Sequence, residues 1–432
     1  TTFGFYTKDN IYDKDGNVIL KAGSKITKVK TDKDGKAIIP FPVPVMGERY
    51  GDKDLPINSG DYYFLEESVS NSYYISEEPI FVHLEYKNQE TPIVTAEAKV
   101  VNEQTEVEVD KLMIASSVEI PNCHLKISDE NGNEIVSWIT GDKDSIIVNE
   151  EMGYFNFEAK MNENGNIKIN GLLHDKEYVL TETKPADGFV SATDISFMLK
   201  LKIEKADYLT QILIKENEKF VPAISNKLVM YDDTTKIEFS KTEITGEKEI
   251  PGCELEVTDK ETGRIMDKWT SSKDKHIVEG KYVVGKTYMF TEKRPASGFA
   301  TAESVEFKIS DTGNIQQVSM KDDTIKIQFS KIASDTKKLL PGAKYKVLDS
   351  KGKKVCEFTT KKKETALNGI LCAGETYTFV EQQAPEHYKK AKNVKITVKD
   401  TGKIQKIKVV DERIPEVPDT PQTGYNKSIY LY

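Results

Sequence analysis

A lysine, a glutamate and an aspartate recur in that order along this chain, each on the apolar face of a strand-like segment. Glutamates close Tyr62-Tyr63-Phe64-Leu65-Glu66, Tyr178-Val179-Leu180-Thr181-Glu182, Tyr288-Met289-Phe290-Thr291-Glu292 and Tyr377-Thr378-Phe379-Val380-Glu381. Strand side chains alternate with period two, so the tyrosine, the Phe or Leu two places on and the Glu at the fifth position share one face. The same parity puts Lys111 with Val107 and Val109, Lys241 with Ile237 and Phe239, and Lys331 with Ile327 and Phe329. It also puts Asp232 with Leu228 and Met230, Asp322 with Val318 and Met320, Asp411 with Ile407 and Val409, and Asn102 with Ala98 and Val100. Within the acidic doublets it selects Asp232 over Asp233 and Asp322 over Asp323, whose side chains should face water.

Burying a lone charge is costly, so such groups neutralise or pair. In an apolar pocket a lysine tends toward the neutral, nucleophilic amine and a carboxylate toward the protonated acid. An amine held against a carboxyl carbon, with a second acid to polarise the carbonyl and shuttle protons, is arranged for amide formation. The product would be a Lys–Asp isopeptide bond, with water lost. Two plainer readings stand beside it: a buried salt-bridge triad without covalent chemistry, and a lysine that snorkels out at a strand end. Snorkelling accounts for one unit well and for three poorly.

The elements that must position these groups are short strands in a repeating unit. "KIEFSKTEITGEKEIPGCELEVTDKETGRI" from Lys236 and "KIQFSKIASDTKKLLPGAKYKVLDSKGKKV" from Lys326 are one unit, and "EVEVDKLMIASSVEIPNCHLKISDENGNEI" from Glu106 is a third copy. The longer span from Lys111 to Lys241 reflects two inserts, around Asn149 to Ile167 and Ile203 to Pro222, which read as extra hairpins. Residues before Glu106 fit a fourth copy lacking its first strand, because "TTFGFYTKD" resembles the second strand of the others. Helical periodicity is scarce. Alternating runs separated by turn signals such as Asn131-Gly132 and Asn164-Gly165 predict an all-β chain of tandem antiparallel sandwiches. The turns Asp13-Lys14-Asp15-Gly16 and Asp32-Lys33-Asp34-Gly35 look superficially like calcium loops, but no acid closes either at the twelfth position, so they read as hairpin turns.

At this point a family resemblance appears. "YVLTETKPADGF", "YMFTEKRPASGF" and "YTFVEQQAPEHY" resemble the E-box of the CnaB or SpaA-type prealbumin-like, immunoglobulin-like β-sandwich domains of Gram-positive pilins and adhesins, and "LPGAKYKVLD" from Leu340 resembles the stretch after the lysine strand. The resemblance implies that the lysine bonds to Asp or Asn on the last strand with the E-box Glu as catalyst. Residue by residue, that gives Lys111, Glu182 and Asp232; Lys241, Glu292 and Asp322; and Lys331, Glu381 and Asp411. Ala-Pro is reversed at Pro185-Ala186 and Pro295-Ala296, and Ser72 and His387 stand where glycine is expected. In the first copy only Glu66 and the flanking aromatics remain. The equivalent of its lysine would lie upstream of Thr1, leaving Glu66 and Asn102 without a visible partner. The tail from Ile414 is proline-spaced and ends in Thr420-Pro421-Gln422-Thr423-Gly424, which resembles a sortase signal of the LPxTG type; it implies cleavage between Thr423 and Gly424 and attachment of Thr423 to a cell-wall amine.

These readings divide the chain into 1–104 (a CnaB-like domain without its first strand), 105–233 (with two hairpin inserts), 234–323, 324–412, and a linker with a truncated sorting signal at 413–432. A net charge of -9 and the lack of a long basic run argue against a nucleic-acid partner. The five histidines are scattered, with no nucleophile elbow or metal cluster, so the chain reads as no enzyme, without cofactor or metal. Cys123 and Cys253 read as small core residues, while pairing of Cys356 with Cys372 stays open. The implied role is a secreted, cell-wall-anchored stalk, pilin subunit or adhesin, with sortase, peptidoglycan or neighbouring pilin subunits and a host surface ligand as partners. The alternatives are accessory modules of a surface hydrolase and a ligand-binding adhesin without crosslinks, the latter using an aromatic face such as Tyr73-Tyr74 or Tyr154-Phe155.

Overall fold

The computed structural model describes residues 1–46, 55–86, 94–114, 116, 118–154, 156–204 and 207–416, with backbone alone for 202–204, 207 and 208. Thr423 and Gly424 of the expected sorting signal lie outside the described residues. Apart from two 3-10 turns, Glu150–Met152 and Ile224–Asn226, the regular elements described are strands. No helix among them is long and apolar enough to cross a membrane. The chain is all-β and forms two compact units, Thr1–Thr234 and Thr235–Tyr432.

The first unit holds the first and second repeats. In the second, one sheet runs Glu158–Met161, Ile167–Asn170, Glu106–Met113, Leu228–Asp232, with the lysine strand and the last strand parallel neighbours. The other sheet has seven strands: Asp142–Val148, Glu134–Ile139, His124–Asp129, Glu177–Lys184, Ile195–Glu204, Asp207–Glu216 and Lys219–Pro222. Both inserts form the expected hairpins. The first adds Glu158–Met161 beside Ile167–Asn170, and the second continues the larger sheet through Asp207–Glu216. Alternation explains the core between the sheets: Val107, Ile127, Ile169, Tyr178, Leu180 and Phe197 are fully buried, and each large apolar side chain so placed contributes about 1.5–3 kcal/mol.

The first repeat has one four-stranded sheet, Lys25–Lys30, Thr2–Thr7, Asp61–Ser68, Ile80–His83, and a hairpin of Ile11–Tyr12 with Val18–Leu20. Phe3 lies opposite Glu66 as Leu125 lies opposite Glu182, so Thr2–Thr7 is indeed the equivalent of the second strand of the other copies. The acidic turn at Asp13 spends its carboxylate on the backbone. Its Oδ1 accepts from the N–H groups of Asp15 and Asn17 at 2.9 and 2.8 Å, around Gly16 at φ +81°, as a tight turn requires.

The second unit repeats the plan twice. The third repeat pairs Lys236–Glu243 in parallel with Ile315–Asp322, opposite the sheet Ile265–Thr270, Glu254–Asp259, Thr287–Arg294, Val305–Lys308. The fourth pairs Ile327–Ala333 with Gln405–Asp411, opposite Lys354–Thr359, Lys344–Leu348, Thr376–Gln383, Val394–Thr397.

Candidate functional site

Register and reach bring the lysine to the acid. Lys111 lies opposite Met230, Lys241 opposite Met320 and Lys331 opposite Val409, so each aspartate is two residues further along the neighbouring parallel strand, on the same face. That diagonal is about 8 Å between backbones, from a 4.8 Å strand spacing and two residues of rise, and an extended lysine spans it. In all three repeats Nζ contacts Oδ1 of the aspartate: Lys111 with Asp232, Lys241 with Asp322 and Lys331 with Asp411. The glutamate enters from the facing sheet. Lys111 Nζ is 3.0 Å from Glu182 Oε1, Lys241 Nζ 3.0 Å from Glu292 Oε1, and Lys331 Nζ 3.0 Å from Glu381 Oε2. The lysines are 1 to 2% exposed, which leaves no room for snorkelling.

Two carboxyls and one ammonium in a dry pocket cannot all stay charged cheaply. Burial pushes the Asp232 carboxyl up to about 7, with Glu182 adding to the rise and Lys111 pulling the other way. Burial likewise raises Asp322 to about 6 and Asp411 to about 6. Oε1 of Glu182 and Glu292 faces the lysine ammonium, while in the fourth repeat the ammonium meets Oε2 and the buried Oε1 of Glu381 has no hydrogen-bond partner among the described residues. Each glutamate thus stands beside the amine and close to the acid, where a side chain that passes protons between them has to be.

The E-box loop orients the glutamate, which single-strand parity does not reveal. Its Oε2 accepts the backbone N–H ten residues on in every copy: Ser76 to Glu66 at 2.6 Å, and Ala192, Ala302 and Ala391 to Glu182, Glu292 and Glu381 at 2.7 Å each. The same loop grips the chain just past the acid. Val190 N–H donates to the Asp233 carbonyl at 3.0 Å, Ala300 to Asp323 at 2.9 Å, Lys389 to Glu412 at 2.8 Å, and Tyr74 to Glu103 at 2.9 Å. Asp233 and Asp323 are half-buried, not fully in water, and Asp323 pairs with Lys326 at 2.7 Å.

Further groups brace the lysine and the aspartate. Glu119 Oε2 accepts the Lys111 backbone N–H at 3.0 Å and Glu249 Oε2 that of Lys241 at 2.8 Å; burial raises the Glu119 carboxyl to about 7. Cys123 and Cys253 are fully buried core residues, yet each Sγ lies 3.9 Å from the second oxygen of its aspartate. With Glu182 and Asp232, or Glu292 and Asp322, these thiols also bring metal-type ligand atoms within 4.8 Å of one another. The pocket does not suit a cation. Burial pushes the thiols up to about 12 and about 11, away from the thiolate a metal takes, and a lysine ammonium already contacts both carboxyls. All four cysteines are free, so Cys356 and Cys372 are unpaired.

In the first repeat Asn102 and Glu66 meet directly. Asn102 Nδ2 donates to Glu66 Oε1 at 2.8 Å and Oε2 at 2.7 Å, and to the Tyr74 carbonyl at 2.8 Å. The two residues expected to lack partners therefore hold each other. Of the aromatics considered for ligand binding, Tyr74 is buried, Tyr73 Oη accepts from Asn156 at 2.8 Å, and Tyr154 packs edge-on against Phe157; Phe155 lies outside the described residues.

The family described as SpaA, prealbumin-like fold domain, matches residues 235–324 and 325–413. Among solved structures the chain is similar to the Bacillus anthracis TIE protein, at 15% identity over 95% of this chain and 69% of that one, with a TM-score of 0.35. It is similar to the shaft pilin SpaA from Lactobacillus rhamnosus GG at 16% identity over 43% and 99%, with a TM-score of 0.24. A Streptococcal ancillary pilin aligns at 14% identity over 72% and 99%, with a TM-score of 0.25. Among curated proteins, none matches.

Proposed function

Since residues 235–324 and 325–413 are SpaA-type prealbumin-like fold domains, we propose that this chain is a pilin-type surface protein whose second, third and fourth repeats lock themselves with Lys–Asp isopeptide bonds. The observation that carries this reading is the buried Lys–Glu–Asp triad, built three times with one register and one set of distances.

The chemistry is a condensation. The lysine ammonium gives up a proton inside the triad, and its lone pair attacks the Asp carboxyl carbon. The glutamate moves protons from the nitrogen to the departing oxygen. The C–O bond breaks as the C–N bond forms, and one water leaves for each amide made. A raised Asp carboxyl supplies the un-ionised acid that such an attack needs. Each site turns over once, on its own chain, so the protein is not an enzyme.

The biological role follows from where the bonds lie. They join the first and last strands of each repeat, the points where tension enters and leaves. That suits a cell-wall-anchored stalk, pilin subunit or adhesin, joined through Thr423 by a sortase to peptidoglycan or to neighbouring subunits. Intact mass tests the crosslinks: the chain should weigh three waters less than its sequence. A full mass would refute the covalent reading and leave three buried ion-pair triads.

A further inference from the structure

We infer that Tyr345 is a positioning residue of the fourth repeat, holding the Lys331 nitrogen so that its lone pair faces Asp411. The inference rests on the crosslinking reading above. Pairing register identifies the position: Leu125 lies opposite Glu182, Leu255 opposite Glu292 and Tyr345 opposite Glu381. Where the second and third repeats offer leucine methyl groups, the fourth puts a phenol hydroxyl 2.8 Å from Lys331 Nζ. The ring is 2% exposed and packs against Phe329 and Phe358 with centroids 4.8 and 5.6 Å apart, so the hydroxyl is held in place.

A lysine ammonium has three N–H donors. Those of Lys331 meet three acceptors: Tyr345 Oη at 2.8 Å, Glu381 Oε2 at 3.0 Å, and Asp411 Oδ1. When the proton facing Asp411 leaves, the other two N–H bonds still fix the nitrogen, and the lone pair points at the acid. Burial raises the phenol well above its ordinary value, so the acceptor stays neutral. In the second and third repeats the lysine has no such third acceptor among the described residues, and the additional polar group stands at the acid instead, as the Cys123 and Cys253 thiols. The fourth repeat has Ala343 there, and Asp411 Oδ2 is left without a hydrogen bond. The paired exchange of Cys and Leu for Ala and Tyr thus moves the extra contact from the electrophile to the nucleophile.

The test is Tyr345→Phe in the full chain, which keeps the ring and removes the hydroxyl. Chains made by cell-free synthesis are quenched in denaturant at intervals and digested, and the Lys331–Asp411 linked peptide is timed against the Lys241–Asp322 linked peptide of the same molecules. Loss of one oriented hydrogen bond should slow the fourth-repeat linkage roughly tenfold and leave the third-repeat linkage unchanged. The pH at which the fourth-repeat rate falls by half should stay near 6 while the plateau drops. Packing damage would instead rehydrate Asp411 and move that midpoint down. A wild-type rate in the Phe variant, or a slowed rate with a shifted midpoint, overturns the role of Tyr345 while the wild-type loss of three waters stands. A wild-type chain of full mass removes the crosslinking reading itself.

Discussion

If the three triads crosslink as proposed, replacing Glu292 by Gln should abolish one bond of three and show what that bond is worth. Gln keeps the size of the side chain and can still accept the Ala302 N–H, which Glu292 Oε2 receives at 2.7 Å, but it cannot carry a proton from Lys241 to Asp322. The variant should therefore be short of two waters, not three, with Lys111–Asp232 and Lys331–Asp411 linked as before. Lys241 and Asp322 are 81 residues apart, and closing a loop of that size removes unfolded-state entropy equivalent to about 4.5 kcal/mol. For a repeat of this length each kcal/mol moves Tm by about 4–8 °C, so the third repeat should melt roughly 20–35 °C lower. Intact mass and scanning calorimetry on the full chain read both quantities. A variant still short of three waters would refute the role of Glu292. One short of two waters but melting unchanged would refute the loop-entropy argument and leave the chemistry intact.

Two other tests address the acids and the first repeat. Linkage should slow as pH rises, because the attacked carboxyl must be un-ionised and its protonated fraction falls tenfold per unit above its pKa; timed quenching should place the half-maximal rate near pH 7 for Asp232 and near pH 6 for Asp322 and Asp411. A rate that rises through this window would contradict the proposed proton inventory. Asn102→Leu should leave the total mass deficit at three waters while destabilising the first repeat by about 2–3 kcal/mol, since among the described residues buried Glu66 would keep only the Ser76 N–H; urea melts followed by hydrogen exchange at Phe3–Phe5 would report it.

Much of the site was legible because a strand's period of two is rigid. Knowing that Val107 and Val109 face inward is enough to place Lys111 inward, and the same step separates Asp232 from Asp233. The all-β sandwich and both hairpin inserts followed from alternation and turn chemistry. What alternation does not hold is pairing between strands. That Tyr345 stands opposite Glu381, or that Asp411 lies one diagonal from Lys331, depends on register, and register is set by the turns and the whole core together. Nor does it describe loops: the backbone N–H ten residues past each glutamate belongs to a segment with no periodicity, so Ala192, Ala302, Ala391 and Ser76 carried no signal. Asn102 shows the third limit. Parity turned it inward, but its bond to Glu66 joins two segments 36 residues apart and so depends on how they pack, not on either residue alone.

The placement of the lysine and the acid has a mechanical consequence on the proposed reading. Because the first and last strands are parallel neighbours, tension applied to the chain would shear one past the other, loading their ladder hydrogen bonds together. Lys111 and Asp232 sit near the C-terminal ends of their strands, as do Lys241 with Asp322 and Lys331 with Asp411. With the amide formed, force passes from the lysine backbone through the crosslink to the aspartate backbone. The intervening chain, 121 residues of separation in the second repeat and 81 and 80 in the third and fourth, carries none of it. The E-box loop would then have its task before the bond exists: it holds Glu and Asp in place through backbone contacts while the reaction completes. The first repeat, where Asn102 and Glu66 are bonded to each other, has the same loop contacts at Ser76 and Tyr74. There too they tie the glutamate and the last segment to one loop.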